Sequence, residues 1–211
     1  MTKNVVLVDD HDLVRDGFSQ LINSENMYRI VGSYADAETT LQEQNFVNVD
    51  LLICDISLPG MNGLQLIEKV KRKHPKLLVI VLSMYENPHY VLTAKALKVN
   101  SFISKRDAAD VLLNAMSIVL AGGDYFSQSV SQHAHIDPQY QEYLDLTTRE
   151  KEVFALLAMG HEPKKVAQIL EIATKTAHVH RRNILKKFEF GNTFQLTKFA
   201  LKYGLIEQSD L

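Results

Sequence analysis

The 211-residue chain has a single cysteine, Cys54, so it can form no internal disulfide and suits a reducing compartment; the cytoplasm is the expected location. Proline and glycine are sparse, at five and nine residues, which excludes collagen-like and low-complexity architectures. No run approaches the roughly 18 apolar residues of a membrane span, so no membrane partner is expected. The N-terminus does not read as a signal peptide either. Met1-Thr2-Lys3-Asn4 leads into only four apolar residues, Val5–Val8, and then into two aspartates.

An excess of one charge sign is also missing overall, since the net charge is −2, but the balance is uneven along the chain. Residues 1–125 carry 12 Lys/Arg against 15 Asp/Glu, and residues 126–146 carry three acids and no Lys/Arg. Residues 164–202 reverse this, with nine Lys/Arg against only Glu171 and Glu189. A basic strip confined to one part of a slightly acidic chain points to a polyanion partner for that part alone. A length of 211 residues itself favours two modest domains over one.

The first part alternates short apolar runs with amphipathic stretches. Strands are expected at Val5–Val8, Ile30–Tyr34, Val49–Cys54, Leu78–Leu82 and Phe102–Ser104. Helices are expected at Leu13–Ser24, Ala37–Glu43, Gly63–Arg72, Pro88–Leu97 and Ala108–Leu120, the first with Leu13, Val14, Phe18, Leu21 and Ile22 facing inward. Runs such as Leu-Val-Ile-Val-Leu at Leu78–Leu82 are apolar throughout, as parallel strands covered on both faces require. Right-handed crossovers make this an α/β fold, a doubly wound five-stranded parallel sheet whose working edge lies beyond the carboxyl ends of the strands, and the expected strand order is 2-1-3-4-5.

Periodicity lapses between Gly122 and Asp145, apart from a helical turn near Gln139–Tyr143, and a domain boundary explains this better than a long loop inside a domain. The expected division is residues 1–122, a linker at 123–143, and residues 144–211. The last part reads as all-α, with four helices. Thr147-x-x-Glu150 forms a capping box ahead of the first, Pro163 starts the second, Thr174–Phe188 is the third, and Asn192-x-x-Gln195 caps a fourth that stops at Gly204. Four helices with tight turns, the third of them basic, describe a helix-turn-helix module.

Chemistry concentrates at the strand ends. Asp9 and Asp10 follow strand one, Asp55 ends strand three, Ser83 follows strand four and Lys105 follows strand five. Strands one and three are neighbours in this topology, so three carboxylates converge and repel unless a cation compensates them. Hard oxygen donors suit Mg²⁺. Carboxylates, a hydroxyl and an ammonium around one point suit phosphoryl transfer to an aspartate, with Lys105 and the metal neutralising the phosphoryl oxygens and Ser83 donating a hydrogen bond to one of them. Any one acidic residue at a strand end is more often a helix cap or a surface group; the joint occurrence of these five residues at the correct topological places is hard to obtain by accident.

On these residues, together with Pro59-Gly60-Met61-Asn62-Gly63, residues 3–121 resemble the receiver domains of bacterial two-component systems. The resemblance implies a metal held by Asp9, Asp10, Asp55 and the backbone carbonyl of Ser57, and phosphorylation of Asp55 by a partner histidine kinase. It further implies that Lys105 pairs with the acceptor or its phosphate, that Ser83 closes onto the phosphate, and that Phe102 is a switch aromatic. Phe102 reads equally as a core residue of strand five. Before it the family usually places small residues with two glycines; here stands Lys98-Val99-Asn100-Ser101, so Asn100 or Ser101 is expected to make the turn.

Residues 144–211 resemble the output domain of the NarL/FixJ/LuxR class through Leu146-Thr147-Thr148-Arg149-Glu150, Val166-Ala167, Lys175–Leu185 and Gly204-Leu205-Ile206. Ile53–Ser57 and His178–Arg181 further resemble the regulators of hexose-phosphate uptake within that class, a likeness that names no target gene. Three positions depart from the pattern: Glu171 replaces the turn glycine, Ala173 the serine cap and Ala177 a valine of the third helix. The lost cap costs about 1 kcal/mol unless Thr174 takes over.

On the third helix, Ala177, His180, Ile184 and Phe188 share one face and are expected to pack inward. His178, Val179 and Arg182 face outward, toward base edges in a major groove, with Lys175, Arg181, Lys186 and Lys187 as phosphate contacts. His178 and His180, two residues apart, cannot ligate one metal, and His133 with His135 in the linker make no metal site. Together these features imply a transcription regulator rather than an enzyme, phosphorylated on Asp55 by a sensor histidine kinase and binding double-stranded promoter DNA as a homodimer. Self-association is expected through Phe194, Leu196, Phe199, Ala200 and Tyr203 or through the apolar helix at 108–120. The alternative is a regulator of the same fold that answers another ligand or a protein partner without phosphorylation.

Overall fold

A computed structural model describes residues 2–84, 87–127, 130 and 138–206. The chain divides into two compact units, residues 1–86 with 90–134, and residues 135–211 with 87–89. The first unit alternates β1 (Lys3–Val8), α1 (Asp12–Asn23), β2 (Tyr28–Tyr34), α2 (Ala37–Glu43), β3 (Leu51–Asp55), α3 (Gly63–Lys73), β4 (Leu78–Ser83), α4 (Pro88–Ala96), β5 (Ser101–Ser104), α5 (Ala108–Leu120) and β6 (Tyr125–Phe126). The sheet order is β2-β1-β3-β4-β5-β6, with every pairing parallel.

The wholly apolar strands split by alternation into two cores. Val6, Val8, Leu52, Cys54, Val79, Val81 and Phe102 face one helical layer, while Val5, Leu7, Leu51, Ile53, Ile80, Leu82 and Ile103 face the other. This is the doubly wound α/β fold the apolar runs predict, with one addition. The five-stranded sheet acquires a sixth strand, because the chain reverses at Gly122 (φ 92°) and runs back along the open edge of β5. There Tyr125 donates its N–H to the Asn100 carbonyl at 3.0 Å, and Ser127 donates to the Phe102 carbonyl at 3.2 Å. An otherwise unpaired row of backbone groups on β5 is thereby satisfied by residues read from the sequence as linker.

Two further expectations are corrected. Leu13 is 90% exposed, since it leads the row of exposed Gly17, whereas Phe18 and Ile22 carry the buried stripe of α1. The left-handed residue after α4 is Lys98 (φ 55°), not Asn100 or Ser101. Lys98 N–H bonds to the Lys95 carbonyl and Val99 N–H to that of Ala94, which closes the helix as a Schellman turn. Asn100 is occupied instead in bridging strands: its N–H donates to the Val79 carbonyl, and its Oδ1 accepts from Val79 N–H at 3.1 Å.

The second unit is all helical: α6 (Pro138–Leu144), α7 (Thr148–Ala158), α8 (Pro163–Ile169), α9 (Thr174–Lys187) and α10 (Thr193–Tyr203). The Thr147–Glu150 capping box forms as its sequence predicts, and the Asn192 side chain accepts from Gln195 N–H at 3.1 Å. Arg149 reaches from α7 to the Leu170 carbonyl at the end of α8, at 2.6 Å, and Thr197 on α10 donates to the Ala158 carbonyl that ends α7, at 2.8 Å. Phe154, Phe188 and Phe199 meet with ring centroids 5.2–6.0 Å apart and join α7, α9 and α10 into one core. Tyr143 on α6 packs on Phe154, and Tyr140 on Tyr203, so this stretch of the expected linker is part of the folded unit. The same packing uses Leu196, Phe199, Ala200 and Tyr203 inside their own unit and leaves only Phe194, 75% exposed, of the face expected to self-associate. His133 and His135 lie outside the described residues.

Candidate functional site

The carboxyl edge of the sheet gathers the five residues singled out there. β1 and β3 are neighbours in register, so Asp9 and Asp55 emerge side by side, and both are buried. β4 and β5 place Ser83, also buried, next to the turn that carries Lys105, whose N–H donates to the Ser83 carbonyl at 2.9 Å. The Lys105 ammonium lies 2.7 Å from Asp55 Oδ2 and 2.7 Å from Asp9 Oδ2. Its contact with Asp55 is a well-formed hydrogen bond, whereas Asp9 Oδ2 is a buried oxygen near a cation without one. Ser57 donates its N–H to Asp55 Oδ1 at 3.2 Å.

Gly63 opens α3 directly behind Asp55. A Cβ there would stand 1.8 Å from the Asp55 carbonyl oxygen and 3.0 Å from Cys54 Sγ, so only glycine lets the helix start this close to the strand end. Arg15 is not singled out by the sequence, yet it donates to the Asp9 carbonyl at 2.6 Å and pairs with Asp12 at 2.5 Å. It sits six residues beyond Asp9, a spacing with no recognisable signal of its own.

Electrostatics at this edge follow from burial. Desolvation pushes the Asp55 carboxyl above the ordinary aspartate range, and the hydrogen bond and charge of Lys105 offset only part of it. Burial alone would lower the Lys105 ammonium, but its hydrogen bond to Asp55 and the negative charges of Asp55 and Asp9 leave it above the usual lysine value. Burial, with the charges of Asp55 and Asp9, drives the Cys54 thiol far upward; it behaves as a small apolar residue of the core. Asp9, Asp10, His11 and Asp55 bring four potential ligand atoms within 4.8 Å of one another. That oxygen-rich set, with the poorly satisfied Asp9 Oδ2 among it, fits a hard divalent cation.

Phe102 is fully buried on β5, opposite Val81, where it forms part of one core layer. In the second unit, Lys175, His178, Val179, Arg182 and Lys186 are exposed on one side of α9, while Ala177, Ile184 and Phe188 are buried on the other and His180 is half-buried. Two of the expected phosphate contacts hold local partners. Arg181 donates to Thr193 Oγ1 at 3.2 Å, and Lys187 lies 3.7 Å from Glu142 and 3.4 Å from the Asp145 carbonyl. Ala173 caps α9 without a side-chain hydrogen bond, and Thr174 is already the first helical residue, so it does not take over. Glu171 supplies the turn between α8 and α9 with φ 53°.

Fold and site together define a receiver followed by a helix-turn-helix module. Residues 5–117 match the response regulator receiver domain, and residues 144–200 match the bacterial regulatory proteins of the luxR family. The chain therefore belongs to the two-component response regulators of the NarL/FixJ/LuxR class, which are signalling and DNA-binding proteins rather than enzymes. It is 34% identical over 192 residues to the transcriptional regulatory protein UhpA of Salmonella typhimurium, a match covering 91% of this chain and 94% of that one. It is 29% identical over 205 residues to the transcriptional regulatory protein MctR of Rhizobium johnstonii, covering 97% and 95%. The structure of RcsB from Salmonella enterica serovar Typhimurium bound to promoter P1flhDC in the presence of the phosphomimetic BeF3⁻ superposes with a TM-score of 0.70 at 26% identity, covering 97% and 100%.

Proposed function

We propose that a sensor histidine kinase phosphorylates this regulator on Asp55, and that the phosphorylated form binds double-stranded promoter DNA as a homodimer to control transcription. The observation that carries this reading is the Lys105 ammonium shared between two buried carboxylates at 2.7 Å from each. A phosphoryl group on Asp55 brings further oxygens into reach of that ammonium, and the hydroxyl of Ser83 stands on the neighbouring strand. Mg²⁺ would be held by Asp9, Asp10, Asp55 and the backbone carbonyl of Ser57, and when bound it neutralises phosphoryl oxygens during transfer. Exposed Leu13 and Met84 beside the site offer apolar ground to the kinase. Phe102 serves as the switch aromatic, starting from a core position.

On the second unit, His178, Val179 and Arg182 meet base edges, Val179 against a thymine methyl and Arg182 against guanine. Lys175 and Lys186 contact phosphates from exposed positions, whereas Arg181 and Lys187 reach the backbone only by leaving Thr193 and Glu142. Dimerisation on DNA is supported by the related structure of two RcsB dimers bound to two parallel DNAs. Incubation with acetyl phosphate and Mg²⁺ should add one phosphoryl mass to the wild type and none to Asp55→Asn. Modification that persists in Asp55→Asn refutes the acceptor assignment.

A further inference from the structure

β5 begins at the edge of the sheet opposite Asp55, and a cavity of about 390 Å³ opens there. Lys95 and Lys98 from the end of α4, Val99 and Asn100 ahead of β5, and Asp124 and Phe126 at β6 line it. That volume falls within the roughly 300–1,000 Å³ of small-ligand sites. Two lysines of the lining face one carboxylate, and Lys71 of α3 joins them by donating from its ammonium to the Lys98 carbonyl. Burial, with the charge of Lys98, holds the Lys71 ammonium below the usual lysine value against the pull of Asp124. Lys98 itself has a φ of 55°, a conformation glycine adopts without strain, so the turn gains nothing from a lysine. What its side chain adds is a cation at the cavity. The remaining lining is an aromatic ring and a polar pair. Lys95 Nζ stands over the Phe126 ring, 5.1 Å from its centroid. Asn100 Oδ1 is held by Val79 N–H at 3.1 Å, which turns the amide NH₂ toward Asp124 Oδ1, 3.4 Å away.

We propose that this cavity binds a guanine nucleotide, with the base on Phe126, its Watson–Crick edge on Asp124 and its phosphates between Lys95 and Lys98. The base takes the ring face that Lys95 now covers, and the displaced ammonium turns to the phosphates. Stacking on an aromatic ring suits any base, so Phe126 supplies affinity and leaves the choice of base to Asp124. An ionised carboxylate is an acceptor only, with two oxygens that can take the N1–H and N2–H of guanine together. Adenine presents a lone pair at N1 instead and is repelled. Charge-assisted hydrogen bonds from the lysines hold the phosphates, which a nucleoside lacks. The walls come from α4, β5 and β6, so a bound nucleotide also braces the short β6 against β5. None of this depends on Asp55 being a phosphoacceptor.

The test titrates the full-length protein, in Mg²⁺-free buffer at low salt, with GDP, ADP and inorganic phosphate by calorimetry, and locates the ligand by hydrogen exchange. The wild type should bind GDP at one site per chain and ADP about tenfold more weakly, with phosphate weaker still. The Tyr125 amide, bonded to the Asn100 carbonyl at 3.0 Å, should exchange more slowly when GDP is present. Asp124→Asn should abolish the preference for GDP over ADP. Lys98→Gly keeps the left-handed turn, so it should fold normally and weaken both nucleotides by about tenfold. Phe126→Leu should weaken both nucleotides and leave phosphate unchanged, while Asp55→Asn should bind GDP as the wild type does. ADP bound as tightly as GDP overturns the role of Asp124 and with it the guanine assignment. Phosphate bound as tightly as GDP reduces the cavity to an anion site and overturns the nucleotide. GDP affinity unchanged by both Lys98→Gly and Phe126→Leu puts the ligand elsewhere, and no GDP binding by the wild type at millimolar concentration overturns the inference outright.

Discussion

Lys105 is the residue whose loss should most disturb the resting receiver. Its side chain is 7% exposed and faces Asp9 and Asp55, whose side chains are 1% and 2% exposed, so Lys105→Met keeps the apolar stem but strands two buried carboxylates. Removing one partner of a buried ion pair costs about 3–5 kcal/mol. The cluster opens to solvent at Asp10, so the lower figure, about 3 kcal/mol, is the expected loss, which for a domain of this size lowers Tm by about 10 °C. The pH dependence has a definite sign. Asp55 already sits above the ordinary aspartate range through burial, and losing the opposing Lys105 raises it further. A carboxyl whose folded pKa is raised destabilises the fold when ionised, so the deficit of Lys105→Met is full above that raised pKa and shrinks as pH falls through it. In the wild type, the raised Lys105 contributes stability that is present below the ordinary lysine pKa and lost as pH rises through its folded value. Urea unfolding of both proteins in metal-free buffer, near neutrality and at mildly acidic pH, measures this. The companion Asp9→Asn/Lys105→Met should regain part of the loss, since one stranded charge is gone. A Lys105→Met protein as stable as the wild type near neutrality, or one whose deficit grows on acidification, refutes the reasoning.

Gly63→Ala should cost about 1–3 kcal/mol in urea unfolding and slow modification of Asp55, because the new methyl lands on the Asp55 carbonyl; wild-type behaviour in both would show that α3 moves freely. Glu171→Gly should stabilise the protein by about 1 kcal/mol in a thermal melt, since φ of 53° suits glycine and strains a side chain. Arg182→Ala should lose about 1–3 kcal/mol of binding at one operator position and relax base preference there, measured against operators changed one base at a time. Lys175→Ala should weaken all operators alike and lower the salt slope by about one, with a smaller effect for Lys187→Ala because that ammonium is already engaged by Glu142.

The elements of the receiver are largely legible in the sequence because the three central strands, β1, β3 and β4, carry continuous apolar runs and helices such as α1 and α3 carry a clear period. α2 and α5 begin and end at the residues expected for them, Ala37–Glu43 and Ala108–Leu120. The site is legible for a topological reason: once the strand order is set, residues that follow strands one, three, four and five must meet at one edge. What escapes is set by tertiary context. β6 is two residues long and has no pattern of its own; it exists because β5 offers an open edge. Lys98 takes the left-handed position because the two hydrogen bonds that close α4 outweigh the preference for asparagine or glycine there, and the same turn recurs at Glu171 and Glu189. Arg15 reaches the Asp9 carbonyl through helix geometry that no local spacing reveals.

The charge count at the edge links the receiver's chemistry to its core. At rest one ammonium serves two buried carboxylates, and a phosphoryl group on Asp55 would replace that carboxylate's single charge with the about 1.5 to 2 of a phosphate, a net gain of up to about one negative charge spread over three more oxygens. Lys105 cannot then remain shared equally, and in the proposed cycle it turns from Asp9 toward the new oxygens, leaving Asp9 as one of the carboxylates that would hold a divalent cation. Lys105 is not free to move alone, since its N–H is bonded to the Ser83 carbonyl and its strand carries Phe102 three residues earlier, packed opposite Val81. A displacement at the end of β5 therefore reaches a fully buried aromatic whose surroundings are close-packed, and close-packed cores answer by changing between discrete arrangements. Phe102→Leu should accordingly accept phosphate at the wild-type rate while losing most of the phosphorylation-dependent gain in operator affinity. Equal gain in the two proteins would mean that the signal leaves the site by another route.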